Sequence, residues 1–350
     1  EVNIVPMVSF CTKYAAMIDD PMKIRYHLDK AVYLSKHGRP GPVWLDIPLD
    51  IQSAPVDPKR LIGFNPAKEG YSDRVKSGGL RQAVKRIIRD LFKSKRPIII
   101  AGQGIRIAGA VKQFNSLINQ LNIPVVTPRT GIDLIGSDNN LFVGRPGIKG
   151  DRAGNFAVQN SDLILSIGSR LSVTVVGYEC DKFAREAKKI VVDVDEVEHR
   201  KTTIKIDTFV RSDALLFIEM LAECSLEAKL KKDNDWPERC RKWKIAYPVV
   251  LKKYKESSRV NTYYFTDVLS KLLTPKDIIV IDSGSSSYVV SQGIKIKYGQ
   301  RYIASSGLGA MGYAVPAAIG ISEAINKKRV ICVTGDGSLH MNMQELSIIA

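Results

Sequence analysis

The feature that most constrains this 350-residue chain is an apolar, β-branched run that stops at a carboxylate held between two glycines: Arg329-Val330-Ile331-Cys332-Val333-Thr334-Gly335-Asp336-Gly337-Ser338. A short continuous apolar run is the pattern of a parallel strand buried on both faces, and ligands of open α/β sheets sit beyond the carboxyl ends of such strands. Gly335 and Gly337 allow a sharp turn and close backbone approach, and Asp336 offers the hard oxygen that Mg²⁺ prefers beside phosphate oxygens. Residues 339–350 read as a helix whose first N–H groups face the same anion. The pattern suits a cradle for Mg²⁺ and a diphosphate. It also suits a plain strand–turn–helix connection, since Gly-Asp-Gly occurs in ordinary loops.

The rest of the chain repeats this alternation. Asp20-Pro21 reads as an N-cap with proline at the first helical position. Ile24, Leu28, Ala31 and Ser35 share one face of the helix, and Gly38 stops it before a strand over Val43–Ile47. Residues 53–78, with Pro55, Pro58, Pro66 and Gly70, carry no periodicity and read as a linker. From 79 to 222 helical stripes (Leu80, Val84, Ile87, Ile88, Leu91; then Val111, Phe114, Ile118, Leu121) alternate with apolar strands at Pro97–Ala101, Pro124–Thr127, Leu163–Ile167 and Ile190–Val194, closed by a helix from Asp213 to Leu221. This is the sequence form of a Rossmann-like parallel sheet. Residues 223–260, charged and interrupted by Pro237 and Pro248, read as a helical connector. A third unit, 261–350, opens with Asn261 capping a helix, followed by the strand Ile278–Ile281.

Three stretches carry a resemblance. Gly335-Asp336-Gly337-Ser338 with Met341-Asn342-Met343-Gln344-Glu345-Leu346 resembles the start of the thiamine diphosphate signature of the acetolactate synthase and pyruvate decarboxylase superfamily. Ser305-Ser306-Gly307-Leu308-Gly309-Ala310-Met311-Gly312-Tyr313-Ala314 resembles the segment on which that cofactor bends, and Pro40-Gly41-Pro42-Val43-Trp44-Leu45-Asp46-Ile47-Pro48 the closing strand of the domain that binds its pyrimidine ring. The resemblance implies an α/β fold of successive Rossmann-like parallel-sheet domains, truncated at both ends. Residues 1–52 would then be the end of the pyrimidine-binding domain, 79–222 the central domain and 261–350 the start of the diphosphate-binding domain. The signature's closing Asn pair would lie beyond Ala350 and the cofactor-activating Glu upstream of Glu1, so no catalytic residue is assigned.

What the resemblance implies for the sites can be stated residue by residue. Cofactor contacts fall on Gly284, Ser285, Ser286, Gly307, Gly309, Met311, Gly335, Asp336, Gly337 and Ser338, with Asp336 also the Mg²⁺ ligand and Met311 an apolar wedge between the cofactor's rings. The stretch Asp282-Ser283-Gly284-Ser285-Ser286-Ser287 equally suits a serine-rich helix cap, and biosynthetic relatives usually carry Gln-His-Gln there. FAD contacts fall on Gly102, Gln103, Gly104, Gly168, Ser169, Arg170, Asp193 and Asp195. Flavin-binding relatives follow that arginine with Phe-Asp-Asp-Arg, whereas this chain reads Leu171-Ser172-Val173-Thr174. Gly102-Gln103-Gly104 alone makes no nicotinamide site, because Ile107 stands where the third glycine would be. Lys13, within Thr12-Lys13-Tyr14, marks the substrate entrance or is a lone surface lysine. None of the four histidines is assigned chemistry.

The implied activity is decarboxylation of a 2-oxo acid such as pyruvate and ligation to a second carbonyl, as in branched-chain amino-acid biosynthesis. The implied assembly is at least a homodimer or tetramer, with a regulatory subunit as a further partner. The departures at 285–287 and after Arg170 favour, as the alternative, a paralogue using another acceptor such as a keto-sugar in polysaccharide assembly. A nucleotide-binding protein without carboligase activity is the reading from another class.

Composition excludes rather than selects. With 45% hydrophobic and 25% charged residues the chain is an ordinary globular protein, and its apolar stretches fall short of the ~20 residues a spanning helix needs. Five cysteines without C-x-x-C spacing argue against zinc and disulfides and fit a reducing cytoplasm. A net charge of +16 raises nucleic acid as a partner. Groups such as Lys188-Lys189, Lys229-Lys231-Lys232 and Lys252-Lys253-Lys255 read instead as solvated faces, with no aromatic-interleaved patch.

Overall fold

A computed structural model of the chain describes residues 2–71, 79–228, 235–305 and 307–349. Ser306, Lys229, Lys231, Lys232 and the end of the expected linker therefore lie outside the described residues. The chain forms two compact units, 1–77 and 78–350.

In the first unit β1 (Ala15–Met17) pairs in parallel with β2 (Trp44–Asp46). The helix Ile24–Lys36 follows a 3₁₀ turn, Pro21–Lys23, whose N-cap Asp20 accepts from the Met22 N–H at 2.9 Å, and Gly38 turns the chain with φ +61°. The helix's buried face differs from the expected one. Ala31 and Leu34 are buried whereas Leu28 is 45% exposed, because the stripe follows the i, i+3 step from Ala31 rather than the step from Leu28.

The second unit contains a six-stranded, all-parallel sheet: β3 (Pro97–Ala101), β4 (Val125–Val126), β5 (Phe142–Gly144), β6 (Leu163–Ile167), β7 (Lys188–Asp193) and β8 (Thr208–Arg211), in the order β5-β4-β3-β6-β7-β8. This is the doubly wound dinucleotide-fold order, with the strand direction of travel reversing between β3 and β6. Successive residues of β3 serve opposite cores. Ile99 packs with Phe114, Leu117 and Phe217, from the helices Val111–Leu121 and Ala214–Glu227, while Ile98 and Ile100 pack with Ala157 and Trp236 on the other face. Two strands, β5 and β8, were not expected from the sequence, since each holds only two consecutive apolar residues. The closing helix runs six residues further than expected, to Glu227, with Asp213 accepting from the Leu215 N–H at 2.8 Å. The expected connector is in part a layer of this domain. Pro237 begins rather than interrupts the helix Trp236–Ala246, and the buried Trp236 indole donates to the Pro97 carbonyl at 2.9 Å.

A second parallel sheet orders β9 (Ile278–Ile281), β10 (Arg301–Ala304) and β11 (Val330–Val333) as β10-β9-β11. Asp133 fastens it to the larger sheet. Its buried carboxylate accepts from Arg106 Nε, Arg301 Nε and the Tyr302 N–H, each at 3.0 Å. At the end of β9, Asp282 accepts from the N–H groups of Ser283 (2.8 Å), Gly312 (3.1 Å) and Ala314 (2.8 Å), and from the Ser338 hydroxyl. Burial alone would raise its pKa, but these donors outweigh burial and hold it below the ordinary 3.8 of an aspartate. The expected continuous helix after residue 339 is broken into Asp336–Met341, a 3₁₀ turn and Leu346–Ile349. Asn342 leaves helical geometry there and donates from Nδ2 to the Gly312 carbonyl at 2.8 Å.

Replacing Asp133 by Ala leaves two part-exposed arginines and one buried N–H without their acceptor. It should lower unfolding free energy in urea by about 2–3 kcal/mol. Because the Asp282 carboxyl has a depressed folded-state pKa, its stabilisation is complete above about pH 4 and is lost as pH falls through the folded-state value. An Asp282→Asn variant should therefore be less stable than the parent at pH 7, and the gap should narrow toward pH 3 in parallel urea titrations.

Candidate cofactor site

The site assembles where β9 and β11 end side by side, since Ile281 lies opposite Val333 in the ladder and the Asp282 N–H donates to the Val333 carbonyl at 3.0 Å. After β9 the chain turns at Gly284 (φ +67°) into the helix Gly284–Gly293, whose N-cap, Ser283, makes no side-chain cap. The serines do not supply the helix cap that their sequence also suits. Ser286 Oγ donates to the Ser283 carbonyl at 2.7 Å and is buried, Ser287 is buried, and Ser285 is exposed. The helix thus presents first-turn amides that no serine side chain caps.

After β11, Asp336 opens a short helix with Gly335 as its N-cap. Its side chain is exposed and, among the described residues, accepts only from the N–H of Gly337, its own neighbour, at 2.8 Å, which leaves carboxylate lone pairs facing outward. Ser338 is different. Its hydroxyl is buried against Asp282, so it braces the site's frame rather than facing a ligand.

The third wall is the turn before the helix Ala314–Ala324. Gly309 and Gly312 have φ +71° and +82°, which an L side chain rarely adopts. A Cβ at Gly312 would meet Asn342 Nδ2 and Met341 Cβ, each at 2.8 Å, so this glycine is required by packing. Gly284, Gly307, Gly309 and Gly335 are not: a Cβ at any of them would meet nothing within 4 Å. Met311, 49% exposed, sets its methyl 3.4 Å from the Cβ position of Gly337 and so closes one side of the cradle. Small residues facing open space, uncapped first-turn amides and one outward carboxylate fit a magnesium diphosphate, because Mg²⁺ is held by one or two carboxylates together with phosphate oxygens. Among the described residues no cluster of three or more His, Cys, Asp and Glu is present, so a metal bound by protein side chains alone is not built here.

The residues expected at a flavin come together at the reversal point but are engaged with one another. The N–H groups of Gly102 and Gly104 donate to the carbonyls of Ile167 and Gly168, and that of Gly168 to Val192, each at 2.9 Å. A Cβ at Gly102 would lie 2.1 Å from the Gly168 carbonyl oxygen. These glycines serve loop-against-loop packing. Gln103 is exposed and Ser169 buried beside them. Arg170 pairs with Glu198 at 3.2 Å, and Asp193 and Asp195 accept from backbone amides of the turn after β7. The amides that would cradle a dinucleotide's pyrophosphate are already bonded, so the fit to flavin is poor.

Lys13 belongs to the first unit and caps the helix Ile24–Lys36, donating from Nζ to the carbonyls of His37 and Arg39. That bonding accounts for the residue without a substrate. Asp282 was not singled out as a site residue in the sequence, although a carboxylate directly after an apolar strand was the available signal.

A family described as the thiamine pyrophosphate enzyme central domain matches residues 84–221, and one described as the thiamine pyrophosphate enzyme C-terminal binding domain matches 282–350. Acetolactate synthase large subunits from Cyanidium caldarium and Lactococcus lactis are 31% and 30% identical across the whole chain, and a probable one from Methanococcus aeolicus is 31% identical. The chain spans about 60% of the length of the first and last of these relatives. The cradle's residues at 284–286, 307–311 and 335–338 all fall within the second matched segment, and the reversal point within the first. The chain belongs to the thiamine pyrophosphate enzymes, of which it carries the central domain and residues of the C-terminal cofactor-binding domain.

Proposed function

We propose that this chain is part of a thiamine diphosphate- and Mg²⁺-dependent enzyme that decarboxylates a 2-oxo acid, pyruvate, and joins the remaining fragment to a second carbonyl compound. The observation that carries the proposal is the open, glycine-lined cradle at the ends of β9 and β11 with Asp336 facing outward from it. When bound, the cofactor supplies a nucleophilic thiazolium carbon and an electron sink for decarboxylation.

The chain's own residues have separable tasks. Asp336 would hold Mg²⁺ through the carboxylate oxygen that Gly337 does not engage, and the amides at Gly284–Ser286 and those of Gly335 and Asp336 would donate to diphosphate oxygens. Gly307 and Gly309 leave room for the cofactor, Met311 limits that room on one side, and Leu308, 89% exposed, adds apolar surface that excludes water. Asp282 and Ser338 position these groups from behind without touching the ligand. No step runs through flavin. In keeping with the relatives' chemistry, the acceptor is a second 2-oxo acid, and the assembly is a homo-oligomer with a regulatory subunit as a further partner. Serines at 285–287 favour a second reading, in which the acceptor is a polar keto-sugar. Among the described residues no helix is long and apolar enough to cross a membrane.

In the full-length protein, Asp336→Ala should weaken Mg²⁺-dependent thiamine diphosphate binding by on the order of 100-fold in isothermal titration calorimetry, with an unchanged circular dichroism spectrum. Unaltered affinity in that variant would sink the assignment. CO₂ release from pyruvate by the parent, dependent on added cofactor, tests the reaction. The purified parent should release no stoichiometric flavin on denaturation, read by fluorescence of the supernatant.

A further inference from the structure

A cavity in the 78–350 unit, of about 450 Å³, lies away from the cradle, among the end of β5, the helix Trp236–Ala246, the 3₁₀ turn Lys252–Lys255, and the helices Thr262–Leu272 and Gly284–Gly293. Its size is that of a small-molecule site. Six cationic side chains line it, Arg145, Lys244, Lys252, Lys255, Lys271 and Lys295, against two carboxylates, Asp151 and Asp267.

The carboxylates do not cancel this charge. Asp267 is shared by Lys271 (2.9 Å) and Lys295 (2.7 Å), and Asp151 accepts from the backbone N–H groups of Arg145 and Gly154, both at 2.7 Å. Among the described residues Lys252 and Lys255 have no carboxylate partner within ion-pair distance. Their sequence group is exposed, as expected, and Lys252 and Lys255 also line the cavity. Arg145 is buried, donates from Nη1 and Nη2 to the carbonyls of Gln292 (3.0 Å) and Ile294 (2.8 Å), and keeps a buried Nε with no hydrogen-bond partner among the described residues. Lys244 Nζ donates to the carbonyls of Ser137 and Phe142, both at 2.8 Å, and the two cations flank the same Phe142 ring, at 5.5 and 4.9 Å from its centre. Burial, followed by the nearby Arg145 charge, presses the Lys244 pKa down to about 8. Like charges crowded around a concave, part-apolar space are costly when left alone and favourable around an anion.

We propose that this cavity binds a small polyphosphate, held by Arg145, Lys244, Lys252 and Lys255. The shared chemistry is a chain of two or three phosphates, either free or attached to a nucleoside. The proposal does not depend on the function assigned to the cradle.

The test uses the full-length protein saturated with thiamine diphosphate and Mg²⁺, so that the cradle is filled, and titrates it with sodium tripolyphosphate by calorimetry. One saturable site is expected, weakened at least tenfold in Lys252→Gln/Lys255→Gln, which alters two exposed side chains and leaves the fold intact. Lys244→Met should weaken it similarly, and Lys85→Gln/Lys112→Gln, remote from the cavity, should leave it unchanged. ATP binding more than tenfold tighter than tripolyphosphate identifies the nucleotide, and equal binding the free polyphosphate. Absence of saturation below ~1 mM, or equal affinity in the Lys252/Lys255 variant and the parent, overturns the proposal. Should the protein fail to bind thiamine diphosphate at all, the Lys252/Lys255 comparison still decides this site separately.

Discussion

Three segments far apart in sequence meet on one buried carboxylate. Asp282 receives N–H groups from the start of its own turn and from the glycine turn at 312–314, together with the hydroxyl of Ser338 in the loop after β11. Hydrogen bonds to an ionised acceptor contribute about 1.5–3 kcal/mol each, roughly twice the neutral value, and their directions fix where the donors' segments sit. The cradle has no other common anchor of this strength among the described residues. Two aspartates thus follow neighbouring parallel strands with opposite tasks. Asp282 is buried and saturated with donors, which makes it a frame, and Asp336 is exposed and nearly unbonded, as the ligand role proposed for it requires.

That division explains which parts of the molecule were legible beforehand. Fully buried strands announce themselves as apolar runs, so β3, β6 and β9 fall on the residues the pattern predicts. β5 and β8, Phe-Val-Gly and Thr-Phe-Val-Arg, each contain only two consecutive apolar residues and are stabilised by the pairing they join. Pro237 shows the limit of punctuation by residue type, since proline disrupts a helix interior but suits its first turn. The cradle's glycines were visible through the turn chemistry they demand. Asp282 and the bracing role of Ser338 were not, because a carboxylate's burial is decided by which distant amides converge on it, and nothing local encodes that convergence.

The same limit governs the central domain. Gly102, Gly104 and Gly168 look like a dinucleotide loop by type and spacing, yet each is explained by another loop's backbone pressing against it. A glycine required by an incoming phosphate and one required by a neighbouring peptide leave the same mark in a sequence. Only the space around the missing Cβ separates them. That space is filled at 102, 104 and 168 and open at 284, 307, 309 and 335.

The helix Gly284–Gly293 runs from the cradle to the basic cavity. Its first turn opens onto the cradle, and carbonyls at its other end are held by Arg145, which lines the basic cavity. A guanidinium at a helix C-terminus complements the dipole, whose positive end lies at the cradle. An anion in the proposed cavity site would draw on the same guanidinium and compete with those carbonyls, and a diphosphate at the first turn would draw on the dipole from the opposite side. Any effect of one occupant on the affinity of the other must be equal in both directions, because both act on a single free-energy cycle. Arg145 touches both the C-terminal end of that ten-residue helix and the cavity, and so stands where any such coupling would pass.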